Sequence, residues 1–185
     1  PFRMERADAE AIVAFLRSDD PMVKAQAVDN HDSHPSFLTK ALCRVAFKPF
    51  PYPTAEKTAP PPSDAVAYGR YLVNDRLLCF SCHSADFATN DEKDPEKSAG
   101  YLGGGNAMPD LGGKLVHTSN LTPDDETGIG RWSPEDFRRA LKDGIRPDKR
   151  PLRYPMVPYR PLADEEADAI FAYLRTVPAI RNHVK

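Results

Sequence analysis

One short motif constrains this chain more than any other feature. It brings two thiols and an imidazole together within five residues, at Cys79, Cys82 and His83. A zinc site would need four ligands, usually a second Cys-x-x-Cys pair or a pair of histidines. The third cysteine, Cys43, stands alone in the sequence. A thioredoxin-like redox pair occurs in a βαβ context, whereas the hydrophobic spacing of this chain is helical. Both alternatives are therefore weak.

A third interpretation of the same residues is covalent attachment of haem, for which Cys-x-x-Cys-His is the signature. Two thiols on one helical turn can each form a thioether with a haem vinyl group. The adjacent imidazole is then held directly under the iron. The motif thus predicts a haem c bound through Cys79 and Cys82, with His83 as an iron ligand.

The overall charge excludes one class of partner. The 185 residues carry a formal net charge of −2, and no stripe of arginine and lysine with interleaved aromatic residues occurs. Nucleic acid is therefore not an expected partner. No apolar run reaches membrane-spanning length.

Helical spacing of apolar residues predicts an all-α chain with little strand signal. Ser63 and Ser133 are natural N-caps, and Gly144 is a good C-terminal stop. Residues 86–116 are rich in glycine and charge and are expected to be loop. The predicted helices cover residues 7–18, 36–47, 63–79, 131–145 and 163–178.

Three segments together resemble a known family: "CFSCHS", "NLTPDDETGIGRWSPEDFRRALKDGIRPD" and "YPMVPYRPLADEEADAIFAYLRTVP". They are similar to the class I cytochrome c domains of bacterial periplasmic cytochromes. The nearest resemblance is to the cytochrome subunits of membrane-bound alcohol and aldehyde dehydrogenases, which carry several such domains in one chain. It covers about residues 64–178 and implies an all-α fold in which the first and last helices cross beside the haem. Gly69 would let those helices approach, with Ile170 and Tyr173 packed over it.

The domain organisation follows from prolines and from an internal repeat. Residues 49–62 hold six prolines and are expected to be an extended tether, with a domain boundary near Ser63. Residues 1–18 resemble residues 158–176, so we expect the end of a preceding cytochrome domain in the same gene product, with at least one further haem. The predicted divisions are 1–20, the end of that domain; 21–63, a helix and tether; 64–178, the cytochrome domain; and 179–185, a mobile tail.

The second axial ligand of the iron is predicted to be Met156, which lies between the third and the last helix of the domain, where the family places its ligand. Flanking prolines would stiffen that loop. In the family, methionine directly precedes proline, whereas here Val157 intervenes. Met108 does precede a proline and is the alternative, and His117 is a third candidate.

The resemblance also implies roles for residues around the haem. Asn120 and Trp132 would lie near the propionates as hydrogen-bond donors, and Tyr154 and Tyr159 could line the pocket. From the residues alone, Trp132 is equally a core residue and Asn120 a turn residue. The remaining candidates have ordinary interpretations: His31 and His34 as solvated residues, His183 as part of the tail, and Cys43 as a small, partly buried residue.

The predicted function is single-electron transfer within a periplasmic respiratory or dehydrogenase chain. The expected partners are a dehydrogenase, a quinol oxidase or a terminal oxidase, and substrate chemistry belongs to the partner. The periplasmic location follows from haem attachment after export, with any membrane association through another segment or subunit. One alternative is a haem enzyme with an open iron position, similar to dihaem peroxidases. Another is a sensor or assembly module that docks through the helix at 36–47.

Overall fold

The computed structural model describes residues 3–27, 32–46 and 56–184. They form two compact units that divide between Thr58 and Ala59. The four-part division predicted from the sequence stays a prediction. His31 and the first part of the proline-rich tether, residues 49–55, lie outside the described residues.

The first unit contains two of the predicted helices. Helix α1 spans Arg6–Leu16 and helix α2 spans Phe37–Val45. The side chain of Ser36 caps α2 by accepting a hydrogen bond from the N–H of Thr39 at 3.1 Å. Neither helix contains a buried residue, and Cys43 is exposed. The expectation that Cys43 is partly buried is therefore wrong.

The second unit holds four helices, two of which end in a π-helical turn. Helix α3 covers Ala65–Tyr71 and continues as a π-helical turn over Leu72–Arg76. The short helix α4 is Cys79–His83. The remaining helices are α5, Pro134–Arg138, which continues as a π-helical turn over Arg139–Asp143, and α6, Asp164–Leu174.

The single helix predicted over residues 63–79 is wrong at both ends. Asp64, and not Ser63, is the N-cap, because its Oδ1 accepts from the N–H of Ala67 at 3.1 Å. At the other end the N–H of Leu77 donates to the carbonyl of Leu72 at 2.8 Å, five residues back. Leu78 then adopts a left-handed backbone with φ of 55°. Cys79 therefore begins a new helix.

The loop expected over residues 86–116 contains regular structure. Strand β1, Ala107–Pro109, pairs antiparallel with β2, Leu115–His117. The Asp110 side chain accepts from the N–H of Gly112 at 2.8 Å and closes the turn between them. Short 3₁₀ turns lie at Phe87–Thr89 and Pro95–Lys97. Strands of three residues are too short to be recognised by alternation.

The predicted caps of α5 are confirmed. Ser133 accepts from the N–H of Asp136 at 3.1 Å, and the Asp136 carboxylate accepts from the N–H of Ser133 at 3.2 Å. Gly144 follows with φ of 75°, the left-handed conformation that ends a helix.

The core of the second unit lies between α3 and α6. A Cβ on Gly69 would stand 1.8 Å from the carbonyl oxygen of Ala169 and 2.9 Å from the Cβ of Tyr173. The close approach predicted at Gly69 is therefore confirmed, whereas the crossed arrangement of the two helices stays a prediction. The unit is mostly helical with one small two-stranded sheet. Its buried apolar side chains include Leu72, Val73, Phe80, Tyr101, Leu102, Ile129, Phe137, Ile170, Phe171, Tyr173 and Leu174.

In the three described ranges, every helix is too short or too polar to cross a lipid bilayer.

Candidate functional site

A cavity of about 700 Å³ opens in the second unit. This is within the range of about 300–1,000 Å³ typical of cofactor and ligand sites. The hairpin, α4, the loop before α6 and the last residues of the chain contribute to its wall. The predicted site residues that line it are Cys79, Cys82, His83, Asn120, Trp132, Met156 and Tyr159.

Helix α4 brings both cysteines and the histidine to the cavity. Residues 79 and 82 are three apart, so their side chains lie on the same helical face. Both thiols are free. The left-handed conformation of Leu78, which also lines the cavity, sets the direction of this helix. Helix α4 therefore presents both thiols and the imidazole to the same cavity.

The imidazole of His83 is held in one orientation. Its Nδ1 lies 2.8 Å from the carbonyl oxygen of Ser119. Because a carbonyl only accepts, Nδ1 carries the proton, and Nε2 is left with a free lone pair. Burial lowers the pKa of His83, and the hydrogen bond to Ser119 opposes this in part. At neutral pH the ring is thus neutral and suited to binding a metal through Nε2.

The electrostatics of the thiols argue against a redox pair. Burial raises the pKa of the Cys79 thiol to about 12 and also raises the pKa of Cys82. A catalytic disulfide-exchange cysteine has a lowered pKa instead. Among the described residues, no cluster of three or more His, Cys, Asp or Glu side chains is arranged for a metal ion.

Both methionine candidates line the cavity. Met156 packs against the core in a turn closed by its N–H, which donates to the carbonyl of Arg153 at 3.0 Å. Met108 lies on β1 opposite Val116. His117 at the end of β2 also lines the cavity. The choice of Met156 as the ligand stays a prediction.

Asn120 uses its side chain for structural hydrogen bonds. Its Nδ2 donates to the carbonyl of Ile180 at 2.6 Å and to Oγ1 of Thr127 at 3.0 Å. Its Oδ1 accepts from the N–H of Thr122 at 2.9 Å and from the Thr122 hydroxyl at 2.7 Å. With both amide hydrogens engaged, this geometry favours the turn-residue interpretation over a role as propionate donor.

The aromatic candidates differ in position. Trp132 and Tyr159 are half-buried, line the cavity and pack against the core. Tyr154 is 48% exposed and is not among the described residues that line the cavity. Their roles toward a cofactor stay predictions.

Comparison with known proteins identifies relatives of this chain. No family profile matches it. A nicotinate dehydrogenase subunit of Pseudomonas putida is 46% identical over 106 residues, which is 56% of this chain and 8% of that protein. The fructose dehydrogenase cytochrome subunit of Gluconobacter japonicus is 33% identical over 129 residues, 66% of this chain and 24% of that protein.

A third relative is the cytochrome c subunit of the quinone-dependent alcohol dehydrogenase of Gluconobacter oxydans. It is 34% identical over 98 residues, 51% of this chain and 18% of that protein. The homologues of the present chain thus include cytochrome c subunits of dehydrogenases. The resemblance inferred from the sequence motifs is thereby confirmed. The chain spans less than a quarter of the length of each of these three relatives.

Residues 179–184, which belong to the segment expected to be a mobile tail, include side chains and backbone groups with long-range hydrogen bonds. Asn182 donates through Nδ2 to the carbonyls of Gly103 and Gly104 at 3.0 and 3.1 Å. The N–H of Ile180 donates to the Thr122 hydroxyl at 3.0 Å. Residues 182–184 line the cavity. Nothing in the local composition of this segment signals these long-range bonds.

Three cavity-lining arginines were also missed from the sequence: Arg131, Arg146 and Arg153. Their charge could hold carboxylates such as the haem propionates. Thr118 lines the cavity as well, and its buried Oγ1 has no hydrogen-bond partner among the described residues. Two thiols, an oriented imidazole, thioether sulfurs, cations and an unsatisfied hydroxyl together fit the donor set that a haem c needs.

Proposed function

We propose that the second unit is a haem c domain that transfers single electrons for a dehydrogenase. The observation that carries this proposal is the placement of Cys79, Cys82 and His83 on one short helix beside a cavity of about 700 Å³. The homology to cytochrome c subunits of dehydrogenases supports electron transfer as the activity.

Each residue has a defined task in this proposal. Cys79 and Cys82 would hold the haem as thioethers, and His83 would bind the iron through Nε2. The carbonyl of Ser119 holds the imidazole ring in the required tautomer. Met156 would supply the second protein ligand of the iron, a soft thioether that raises the reduction potential relative to histidine.

The bound haem would supply one-electron Fe(III)/Fe(II) chemistry, and the surrounding residues would control access to it. Leu141, Ile170 and Leu174 are buried and line the cavity. Their apolar side chains keep water from this part of the wall. Arg131, Arg146 and Arg153 supply positive charge for the propionates.

The proposed setting is a periplasmic electron-transfer chain in which another subunit or domain oxidises the substrate. A dehydrogenase partner is supported by the names of the relatives, several of which are dehydrogenase subunits. The periplasmic location rests on the haem attachment itself, which takes place after export.

The test of the proposal is the visible and near-infrared spectrum of the purified protein, together with Met156→Ala and Met108→Ala variants. We expect a low-spin c-type spectrum and the weak near-infrared band of methionine sulfur on Fe(III). That band should be lost in Met156→Ala and kept in Met108→Ala. The absence of any haem after expression with cytochrome maturation would contradict the proposal.

Two further outcomes of this experiment are informative. Loss of the band in Met108→Ala only would assign the second ligand to the hairpin. A high-spin spectrum in the parent, with ready binding of carbon monoxide to Fe(II), would instead favour an enzyme with an open iron position.

We also propose a further cytochrome domain before this one in the gene product, supported by the repeat. Ile12 and Leu16 of α1 correspond to Ile170 and Leu174 of α6. The α6 pair is 2% and 1% exposed, whereas the α1 pair is 48% and 60% exposed. The intact mass of the native protein should therefore include more than one haem, and a single haem would refute this part of the proposal.

A further inference from the structure

Positive charge is concentrated in one loop of the second unit. Residues 145–160, here called the basic loop, contain five arginine or lysine residues and one aspartate, although the whole chain has a net charge of −2. The rest of the chain is therefore clearly negative. The formal charge of this loop is opposite in sign to the net charge of the whole chain.

Most of this charge is not neutralised within the protein. Arg150 forms an ion pair with Asp148 at 2.6 Å, and Arg146 lies 3.7 Å from the same carboxylate. Lys149, Arg153 and Arg160 are exposed and form no ion pair with the described residues. Asp148 thus pairs with two of the five cations, and Lys149 and Arg160, which do not line the cavity, keep their charge toward solvent.

The basic loop is also part of the cavity wall. Arg146, Arg153 and Met156 line the cavity, and the turn at Met156 is closed by the Arg153 carbonyl. Lys149 and Arg160 lie outside the lining, so their charge is not used by a bound cofactor. Cations on this loop are consequently close to the redox centre without belonging to it.

Exposed apolar groups lie between these charges. Tyr154 is 48% exposed and Val157 is 55% exposed. Transient protein interfaces commonly combine an apolar centre with a polar, charged rim. The composition of the basic loop matches that pattern.

We propose that the basic loop is the docking face for an acidic surface of the electron-transfer partner protein. This inference rests on the proposed haem site. Surplus cations beside the proposed redox centre attract a negatively charged protein and orient it toward this side of the cavity. The negative remainder of the chain disfavours contact at other faces.

The test uses two small oxidants of opposite charge on the reduced, haem-loaded full chain. Hexacyanoferrate(III), a trianion, and tris(phenanthroline)cobalt(III), a trication, each accept one electron as the haem iron goes from Fe(II) to Fe(III). Raising the ionic strength from about 0.01 M to about 0.15 M shortens the Debye length from about 30 Å to about 8 Å. The rate with hexacyanoferrate(III) should fall at least about threefold, and the rate with the cobalt complex should rise.

Matched variants locate the charge that is responsible. Lys149→Gln combined with Arg160→Gln should remove most of the salt dependence seen with hexacyanoferrate(III). Lys97→Gln removes one charge from a turn that does not line the cavity. This variant should leave the salt dependence of the rate unchanged. Poly-L-glutamate, a model of an acidic protein surface, should slow the reaction of the parent more than that of the double variant.

Several results would overturn the inference. A rate with hexacyanoferrate(III) that rises with salt would show that the net charge of −2, and not the loop, controls the approach. If the parent sediments with vesicles of anionic phospholipid and the double variant does not, the basic loop binds a membrane surface and not an acidic protein. A protein with no haem and no reaction with either oxidant would instead contradict the proposed function.

Discussion

Glu96 connects a buried tyrosine pair to the surface of the second unit. The hydroxyls of Tyr101 and Tyr173 lie 2.8 Å apart, and Tyr173 donates to Oε1 of Glu96 at 2.9 Å. Arg70 donates to the same oxygen through Nε at 2.5 Å. The hydrogen bond from Arg70 lowers the pKa of Glu96 most, burial opposes it, and the bond from Tyr173 lowers it further.

This shift predicts a specific pH dependence of stability. Because the pKa of Glu96 is lower in the folded protein than its ordinary value of 4.5, its stabilisation is complete above about pH 4.5. It is lost as the pH falls through the lower, folded-state pKa. Urea unfolding of the parent and of Glu96→Gln should show a difference in the free energy of unfolding that is constant above about pH 5.5 and narrows as the pH falls from about 4.5 to about 3. If the difference in unfolding free energy between the two proteins did not change with pH, the lowered pKa of Glu96 would be contradicted.

At the scale of elements, the contact between α3 and α6 sets the framework of the domain. It depends on the missing side chain of Gly69, over which the backbone of Ala169 passes. Neither helix can withdraw without opening the core, because Leu72 of the following π-helical turn and Ile170 of α6 are almost completely buried. The position therefore admits no larger residue.

Gly69→Ala should destabilise the protein by at least about 3 kcal/mol, the upper part of the range for overpacked cores. Thermal or urea unfolding measures this effect, and the yield of haem-loaded protein should fall with it. Gly112→Ala is the control, because a Cβ there meets only the end of the Asp110 side chain at 3.3 Å. Equal stability of Gly69→Ala and Gly112→Ala would refute the close helix contact.

On the scale of the whole second unit, the last residues of the chain tie together segments that are distant in sequence. Ile180 bonds to Asn120 and Thr122, and Asn182 bonds to Thr127 and to the glycine turn at residues 103–104. The carbonyl of His83 accepts from the N–H of Gly104 at 2.7 Å in the same turn. The last residues of the chain thereby support the segment that carries His83.

Asn182→Ala leaves two backbone carbonyls without their donor and should cost about 1–2 kcal/mol of unfolding free energy. Urea unfolding at neutral pH is the appropriate measurement. His183→Ala, at the next position, should change stability by less than about 0.5 kcal/mol. If both variants had the same free energy of unfolding as the parent, the hydrogen bonds of Asn182 would not stabilise the protein.

The sequence by itself determined the features that depend on neighbouring residues. The spacing of Cys79, Cys82 and His83 predicted the candidate haem site. The capping residues Ser133 and Gly144 marked the ends of the α5 segment, since a cap and its target lie within one turn. Gly69 was recognised through the family resemblance, and the structure confirms its role.

Only the tertiary structure decided the features that depend on contacts between distant segments. The carbonyl of Ser119 orients His83, which lies thirty-six residues earlier in the sequence. The side chain of Asn120 donates to the carbonyl of Ile180, near the end of the chain. The break at Leu78 arises where α3 packs on α6 while α4 must face the cavity. The short hairpin, the bound tail and the arginines around the cavity likewise have no local signal, because their energies come from chain segments that meet only after folding.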